Sequence, residues 1–373
     1  MIKRLEITDP DTWNQIVLNF RCSHILQSWE WGKIKSQNGW VAKRIVWKED
    51  DQRVVAAAQI LIREIRFAKF LPPIRMVYTP RGPLLDWNDK HLALEILSSL
   101  IDFVQYEHAF FVKIDPEAIK SNNPEQPQFE FMQGIFDNWK REFEKNGWRL
   151  SNEQVQFPNS VIINLSAGEE HILAGMKQKT RYNLRLAEKK GIVINQRGIK
   201  DLSTLYNLYD QTSTRDDFLI RNEEYYREVW TTMLQTDKAI ALTADFENEA
   251  VAGLIEFIFG KKSWYFYGMS SALHREKMPN YLLQWEAMRK ARQAGCVTYD
   301  LWGAPDLENP KDRLWGVYRF KEGFNGYYYQ TIGAWDYVIN PFIYYLYKMV
   351  LPIILELIKK IRPRKGEVLS PTE

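Results

Sequence analysis

Two kinds of apolar spacing alternate along this chain. "VVAAAQILIREI" (Val54–Ile65) is a strand-like apolar run, and "MVYTPRGPLLD" follows it. The segment "HLALEILSSLIDFVQYEH" then carries apolar residues at helical spacing, and "AFFVKIDP" returns to a strand that ends at Asp115. The second half repeats this order. "EAVAGLIEFIFGKKSWYFYGMSS" reads as a hairpin, "YLLQWEAMRKARQAG" as a helix, and "CVTYDLWG" as a strand around Asp300. The distance from hairpin to aspartate is about sixty residues in the first half and about fifty in the second, too loose for a sequence repeat and suited to a duplicated fold.

Length supports the same division, because 373 residues exceed the usual single core and favour two domains of about 150 to 180 residues. A strand, a crossover helix and a further strand imply a parallel pair beside the antiparallel hairpin, hence mixed sheets flanked by helices. The expected fold class is therefore α/β, with two tandem domains that resemble the acetyltransferase (GNAT) type. The boundaries read as 1–160, 161–340, a C-terminal helix at 341–362 and a disordered tail at 363–373. A polar, proline-bearing loop, "SNNPEQPQ" (Ser121–Gln128), precedes a helix expected at Phe129–Asn146. Neither half carries the glycine-rich pyrophosphate loop of coenzyme A-dependent acetyltransferases, which disfavours coenzyme A as the donor.

Composition narrows the picture modestly. The chain is 45% hydrophobic and 26% charged, with a formal net charge of only +3, so any affinity for a polyanion has to come from local clustering. Cys22 and Cys296 are the only cysteines, and the five histidines lack metal-ligand spacing, so neither a disulfide framework nor a metal site is indicated. "MIKRLEITDPDTW" has no apolar run of signal-peptide length and reads as a short strand before a helix, which predicts a cytoplasmic protein.

Charge does cluster in "MKQKTRYNLRLAEKKG" (Met176–Gly191), where six lysines and arginines fall on one expected helix. Met176, Leu184 and Ala187 would face a core, and a solvated helix is the plain explanation. Against it, the positives begin at the helix N-terminus, where the macrodipole disfavours cations, and this suggests a polyanionic partner.

The same stretch closely resembles the Lys- and Arg-rich helix that follows the first domain of the FemXAB peptidoglycan-bridge aminoacyltransferases. Other segments agree in order: "QSWEWGKIKSQNGW", "YTPRGPLLD", "FFVKIDP", "RDDFLIRNEEYY", "YFYGMSS", "YLLQWEAMRKARQAGCVTYDLWG" and "YRFKEGFNG". The likeness covers roughly residues 20 to 335. It implies an enzyme that moves an amino acid from aminoacyl-tRNA onto the third-position side-chain amine of a peptidoglycan precursor stem peptide, the precursor being nucleotide-linked (UDP) or lipid-linked. Arg215 and Arg221 follow Arg185 too closely to leave room for a coiled-coil arm, so the short FemX-like form is the nearer likeness. The donor is an activated ester and the reaction needs no cofactor. A monomer is expected.

Roles for individual residues follow from the resemblance. Amide formation needs an amine aligned on the ester carbonyl, a stabilised oxyanion and a proton acceptor. Lys321 matches the family position facing the oxyanion, and Asp115 the one that orients or deprotonates the incoming amine. Lys35 and Arg221 match positions that hold the precursor diphosphate. Lys33 would point elsewhere, and Tyr225 is expected on the same helical face as Arg221. Tyr78, Tyr267 and Phe320 are further candidates for the acceptor groove, and Asp300 for a structural or donor-side role. Lys177, Lys179, Arg181 and Arg185 are expected to contact tRNA phosphates. Asn325 stands where glycine is commoner in the family, and its side chain would narrow the nearby cleft or change donor choice.

The run Pro341–Ile361 is mostly apolar but interrupted by Lys348, Pro352, Glu356, Lys359 and Lys360, a poor membrane span. It reads as a helix packed on the second domain, or alternatively as a peripheral anchor at the inner face of the cell membrane. Two other functions compete with aminoacyl transfer: an N-acyltransferase using acyl-CoA or another acyl donor, and a non-catalytic RNA-binding module.

Overall fold

The computed structural model describes residues 2–50, 52–66, 73–117, 119–121 and 135–361. Most of the loop Ser121–Gln128, the start of the helix expected at Phe129–Asn146 and the tail expected at 363–373 lie outside them. The chain forms two compact units.

The first unit takes Met1–Pro158 together with Tyr329–Leu357. Its strands are β1 (Lys3–Glu6), β2 (Trp40–Lys48), β3 (Val54–Ile65), β4 (Ile74–Thr79), β5 (Leu84–Leu85), β6 (Ala109–Ile114), β7 (Ile119–Ser121) and β8 (Trp148–Leu150). The second unit, built on Asn159–Tyr328, carries β9 (Asn159–Asn164), β10 (Val193–Arg197), β11 (Ala239–Phe246), β12 (Glu249–Phe259), β13 (Lys262–Ser270) and β14 (Thr298–Asp300). β15 (Tyr327–Thr331) leads the chain back into the first unit, where Tyr329 pairs opposite Ser121 of β7, and β16 (Trp335–Val338) follows.

The duplication expected from the apolar pattern is present in the registers. β3 and β4 are antiparallel, the helix Lys90–Tyr106 crosses over, and β6 lies parallel to β4. β12 and β13 are antiparallel, the helix Pro279–Gln293 crosses over, and β14 lies parallel to β13. The sheet orders are β1-β2-β3-β4-β6-β16-β8, with β5 beside β3, and β10-β11-β12-β13-β14-β9-β15-β7. The strand beside β6 is thus β16, which follows the whole second unit in sequence, and the strand beside β14 is β9, which precedes it.

Each unit thus combines segments that are not contiguous in sequence with their neighbours in the sheet. β16 and the helix Pro341–Ile361 up to Leu357 belong to the first unit. Ile339 and Asn340 donate backbone N–H groups to the Phe110 carbonyl, which seats the helix start on β6. Tyr344 and Tyr347 then join Trp40, Leu61, Met76, Tyr78, Phe110 and Phe111 in one buried cluster.

Side-chain alternation divides the first sheet's faces. Ala56, Ala58, Ile60 and Ile62 of β3 pack toward the helix Lys90–Tyr106 with Trp47, Val112, Trp139 and Trp335, while Leu61 points to the opposite cluster. Both faces are covered, so β3 reads in sequence as a continuous apolar run. In the second unit, Leu184 and Ala187 of the basic helix pack with Leu283, Ala287 and Met288 of the crossover helix.

Candidate active site

Asp115 follows the last residue of β6 and shares its face with Lys113, since strand side chains alternate. Its neighbour across the parallel pair is the end of β4, which stays hydrogen-bonded to β6 as far as Thr79 opposite Ile114. The Tyr78 phenol donates to Asp115 Oδ2 over 2.7 Å, and the Arg81 backbone N–H donates to Oδ1 over 2.6 Å. Arg81 has φ 51° and a buried guanidinium that donates to the Phe157 carbonyl over 2.8 Å. Burial pushes the Asp115 carboxyl up to about 6, with the Arg81 charge and the Tyr78 hydrogen bond acting the other way. The structure therefore brings Tyr78 and Asp115 together as a buried pair.

The motif "QSWEWG" supports this corner from behind. Gln27 donates from Nε2 to the Pro80 carbonyl over 2.5 Å and accepts from the Gln59 N–H over 2.6 Å, fixing the turn that presents Arg81. A Cβ on Gly32 would stand 2.1 Å from Gln59 Oε1 and 2.6 Å from an Arg44 guanidinium nitrogen, so a larger residue in the helix Trp29–Gln37 would have to displace those side chains. On the same helix Lys33 is exposed, whereas Lys35 is buried with its Nζ 4.6 Å from the Trp31 ring centre. Lys35 is the lysine turned inward.

In the second unit β13 and β14 part early. Their pairing ends with Trp264 opposite Asp300, and β13 runs on to Ser270 with a register shift against β12 that leaves Phe266 between Tyr265 and Tyr267. Phe266 stacks on Trp302 at 4.8 Å. Trp302 and Gly303 both have positive φ, 51° and 83°, and this left-handed turn aims two carbonyls at Lys321. Nζ of Lys321 donates to Trp302 O over 2.5 Å and to Gly303 O over 2.6 Å. Asp300 Oδ1 accepts from the Trp302 N–H over 2.8 Å and from Ser160 Oγ, holding the turn in place.

Lys321 is 3% exposed, and burial pushes its ammonium down to about 7 although the Asp300 charge favours protonation. It is the buried member of its helix, while Phe320 is half-buried against Tyr281 at 5.0 Å and Phe324 at 5.2 Å. The one-turn helix after Lys321 ends at Asn325 with φ 60°, a conformation glycine adopts freely and asparagine tolerates. That backbone geometry suits glycine at the position.

Arg221 lies ahead of the helix Glu223–Gln235, whose cap is Asn222, so it does not share a helical face with Tyr225 as expected. The two meet by stacking instead, with the guanidinium carbon 4.4 Å from the Tyr225 ring centre. Tyr267 is buried against Tyr209, Tyr226, Trp230 and Phe257, an aromatic packing cluster of the second unit.

The basic helix spans Gln178–Lys189, with Lys177 at its cap and Met176 buried before it. Lys177 pairs with Glu322 at 2.8 Å, and Arg181 donates to the Ala174 carbonyl over 3.0 Å and to that of Met176, at the C-terminal end of the helix Glu169–Gly175. That end attracts cations, so Arg181 is favourably placed despite its own helix's dipole. Lys179, Arg185, Lys189 and Lys190 are exposed. Arg81, Gln27 and Ser160 were not singled out from the sequence. Arg81 carried the one usable signal, a cation inside the "YTPRGP" turn.

Two tandem units with repeated hairpin, crossover and parallel strand define a protein of the tandem acetyltransferase-like class, with a buried aspartate at or just past the end of each parallel strand. The chain belongs to the FemAB family, whose sequence profile matches residues 10–248 and 234–351. It is 25% identical over 390 aligned residues to the Lipid II:glycine glycyltransferase of Staphylococcus saprophyticus, covering 88% of this chain and 91% of that one. The Staphylococcus aureus protein of the same name is 24% identical over 394 residues, with the same coverage. Among solved structures, FemX superposes with a TM-score of 0.78 at 21% identity over 92% of this chain and 99% of that one. A tandem GNAT protein from the clavulanic acid biosynthesis pathway shares the fold at a TM-score of 0.54 and 10% identity, over 90% and 98% of the two chains.

Proposed function

We propose that the protein is an aminoacyltransferase that builds peptidoglycan bridges, moving an amino acid from aminoacyl-tRNA to the third-position side-chain amine of a precursor stem peptide. The lipid-linked precursor is the favoured acceptor, since the relatives named above are glycyltransferases of lipid II. The observation that carries the reading is Lys321: a buried ammonium held by two carbonyls at the end of β14, where the sheet opens.

In this mechanism the Lys321 ammonium, with two protons committed to Trp302 and Gly303, directs its third toward the ester oxygen as negative charge develops there. Asp115 in its ionised form accepts a proton from the attacking amine. The carbon–nitrogen bond forms as the ester carbon–oxygen bond breaks, and the released tRNA hydroxyl takes up a proton. Lys35 and Arg221 serve the acceptor's diphosphate, and the basic helix serves the tRNA.

The test is incubation with a mixture of charged tRNAs and both precursor forms, followed by mass spectrometry of the products. An added aminoacyl mass on the lipid-linked form is the expected result. Mass on the nucleotide-linked form alone would correct the acceptor, and no added mass on either would overturn the function.

A further inference from the structure

The buried pair of Tyr78 and Asp115 has a third member. Gln156 donates from Nε2 to the Tyr78 phenol oxygen over 3.2 Å, while that phenol donates to Asp115 Oδ2 over 2.7 Å. Proton count sets the order of these donors. An ionised carboxylate has no hydrogen to give, so the single phenol proton belongs to the Asp115 contact and the phenol oxygen is left to accept. The nitrogen end of the Gln156 amide is the end that can meet it, and the network assigns the amide that way round.

Gln156 arrives on a segment that clasps the whole corner. Ser151 Oγ and the Glu153 carbonyl accept from Nζ of Lys113, which shares the β6 face with Asp115. The Phe157 carbonyl accepts from the guanidinium of Arg81, whose backbone N–H holds Asp115 Oδ1. Gln154 Oε1 accepts from the Ala334 N–H over 2.7 Å, and the Ser151 N–H donates to the Ala334 carbonyl over 2.8 Å, which ties the segment to the chain just ahead of β16. All of these contacts lie within the first unit. Lys113, Tyr78 and Arg81, three neighbours of one carboxyl, are thus each held by residues 151–157, and Gln156 supplies the hold on Tyr78.

Hydrogen bonds in a chain polarise one another, so an amide N–H on the phenol oxygen strengthens the O–H bond to the carboxylate beyond it. The effect has the matching sign at Tyr78: burial and the Asp115 charge push the phenol well above its ordinary range, and the Gln156 hydrogen bond acts the other way. The groups acting on the Asp115 carboxyl itself are Arg81 and Tyr78 from the end of β4 and its turn, and Lys113 from β6, with Glu117 acting on Arg81. Gln156 carries no charge, so replacing it leaves this set of charges as it is.

We propose that Gln156 is a positioning residue for Asp115, acting through Tyr78 by committing the phenol proton to the carboxylate. The bearing of this relay on turnover rests on the proton-accepting role proposed for Asp115; the relay itself does not.

The test is a titration of the full chain, labelled with carbon-13 at the aspartate carboxyls and free of substrate, in which the Asp115 signal is the one lost in Asp115→Asn. Gln156→Met keeps the length of this half-buried side chain and removes its donor. It should move the Asp115 midpoint upward by about 0.2 to 0.5 pH unit. In a Tyr78→Phe background the same substitution should move the midpoint no further, because the phenol that relays the effect is gone. A shift of equal size in both backgrounds would mark a general loosening of the corner and overturn the relay, as would no shift from Gln156→Met alone. The acidic limb of the turnover profile should move with the midpoint. A limb that stays while the midpoint moves would remove Asp115 from the chemistry and still support the relay, so the two failures are read separately.

Discussion

The Nζ of Lys321 stands 2.6 Å from the carbonyl oxygen of Gly303, and that carbonyl is aimed at it by a left-handed turn braced on Asp300. Removing the ammonium with Lys321→Met should lower kcat on the order of 10²-fold to 10³-fold, the loss that follows deletion of one oxyanion donor. Single-turnover kinetics with bound aminoacyl-tRNA check this. A variant that keeps its full rate would exclude Lys321 from the chemistry.

The alkaline side of the pH profile follows from the same contact. With the ammonium titrating at about 7, activity should fall as pH rises through that value. The Asp300 carboxylate favours the charged amine, so Asp300→Asn should move this limb to lower pH. A merely structural role for Asp300 would reduce the rate without moving the limb.

In the role proposed above, Asp115 should set the acidic side. Its carboxyl titrates at about 6, and turnover should rise through that pH as the carboxylate forms. Tyr78→Phe removes a hydrogen bond to the ionised form and should shift this limb upward. Stability has its own sign here. A folded carboxyl with a raised affinity for protons contributes most below about 4 and loses that contribution as pH rises to about 6. The total, from the difference between 3.8 and about 6, is roughly 3 kcal/mol. Denaturant unfolding at pH 4 and pH 7 should show a correspondingly smaller pH dependence for Asp115→Asn.

The exposed cations of the basic helix separate into useful and occupied ones. Neutralising Lys179 and Arg185 together should reduce the slope of log binding against log salt by about 1.4 to 1.8 for tRNA. Lys177 is paired with Glu322 and Arg181 caps a neighbouring helix, so their replacement should alter the slope less. Filter binding across a salt series measures both, and an unaltered slope for the first pair would leave the stretch as a solvated helix.

Gly32→Ala should destabilise the first unit by about 1 to 3 kcal/mol, because its Cβ would meet Gln59 Oε1 at 2.1 Å in a packed interior. Denaturant melts report this directly.

Much of the architecture was legible because it is carried by local spacing. The continuous apolar run of β3 and helical spacing in Lys90–Tyr106 and Pro279–Gln293 do not depend on distant partners, and the repeated order of these elements disclosed the duplication. That Lys33 and Lys35 point apart could likewise be read, since two residues on a helix lie roughly 200° from each other; which of them is buried could not.

Other features depend on residues far apart in the chain. Nothing near Trp335 says that β16 pairs with β6 across more than two hundred residues, or that the helix after it therefore rests on the first unit. Arg81 binds Asp115 and Gln27 holds the Pro80 turn beside it from a separate segment, so no local pattern marks them. Arg221 and Tyr225 keep the spacing of a helical pair, yet Asn222 caps the helix between them and the contact is made by stacking instead. Residue type and spacing thus established the elements, their order and the kinds of chemistry on offer. Burial, which moves Asp115 to about 6 and Lys321 to about 7, arises from long-range packing and desolvation, and the folded chain alone supplies it.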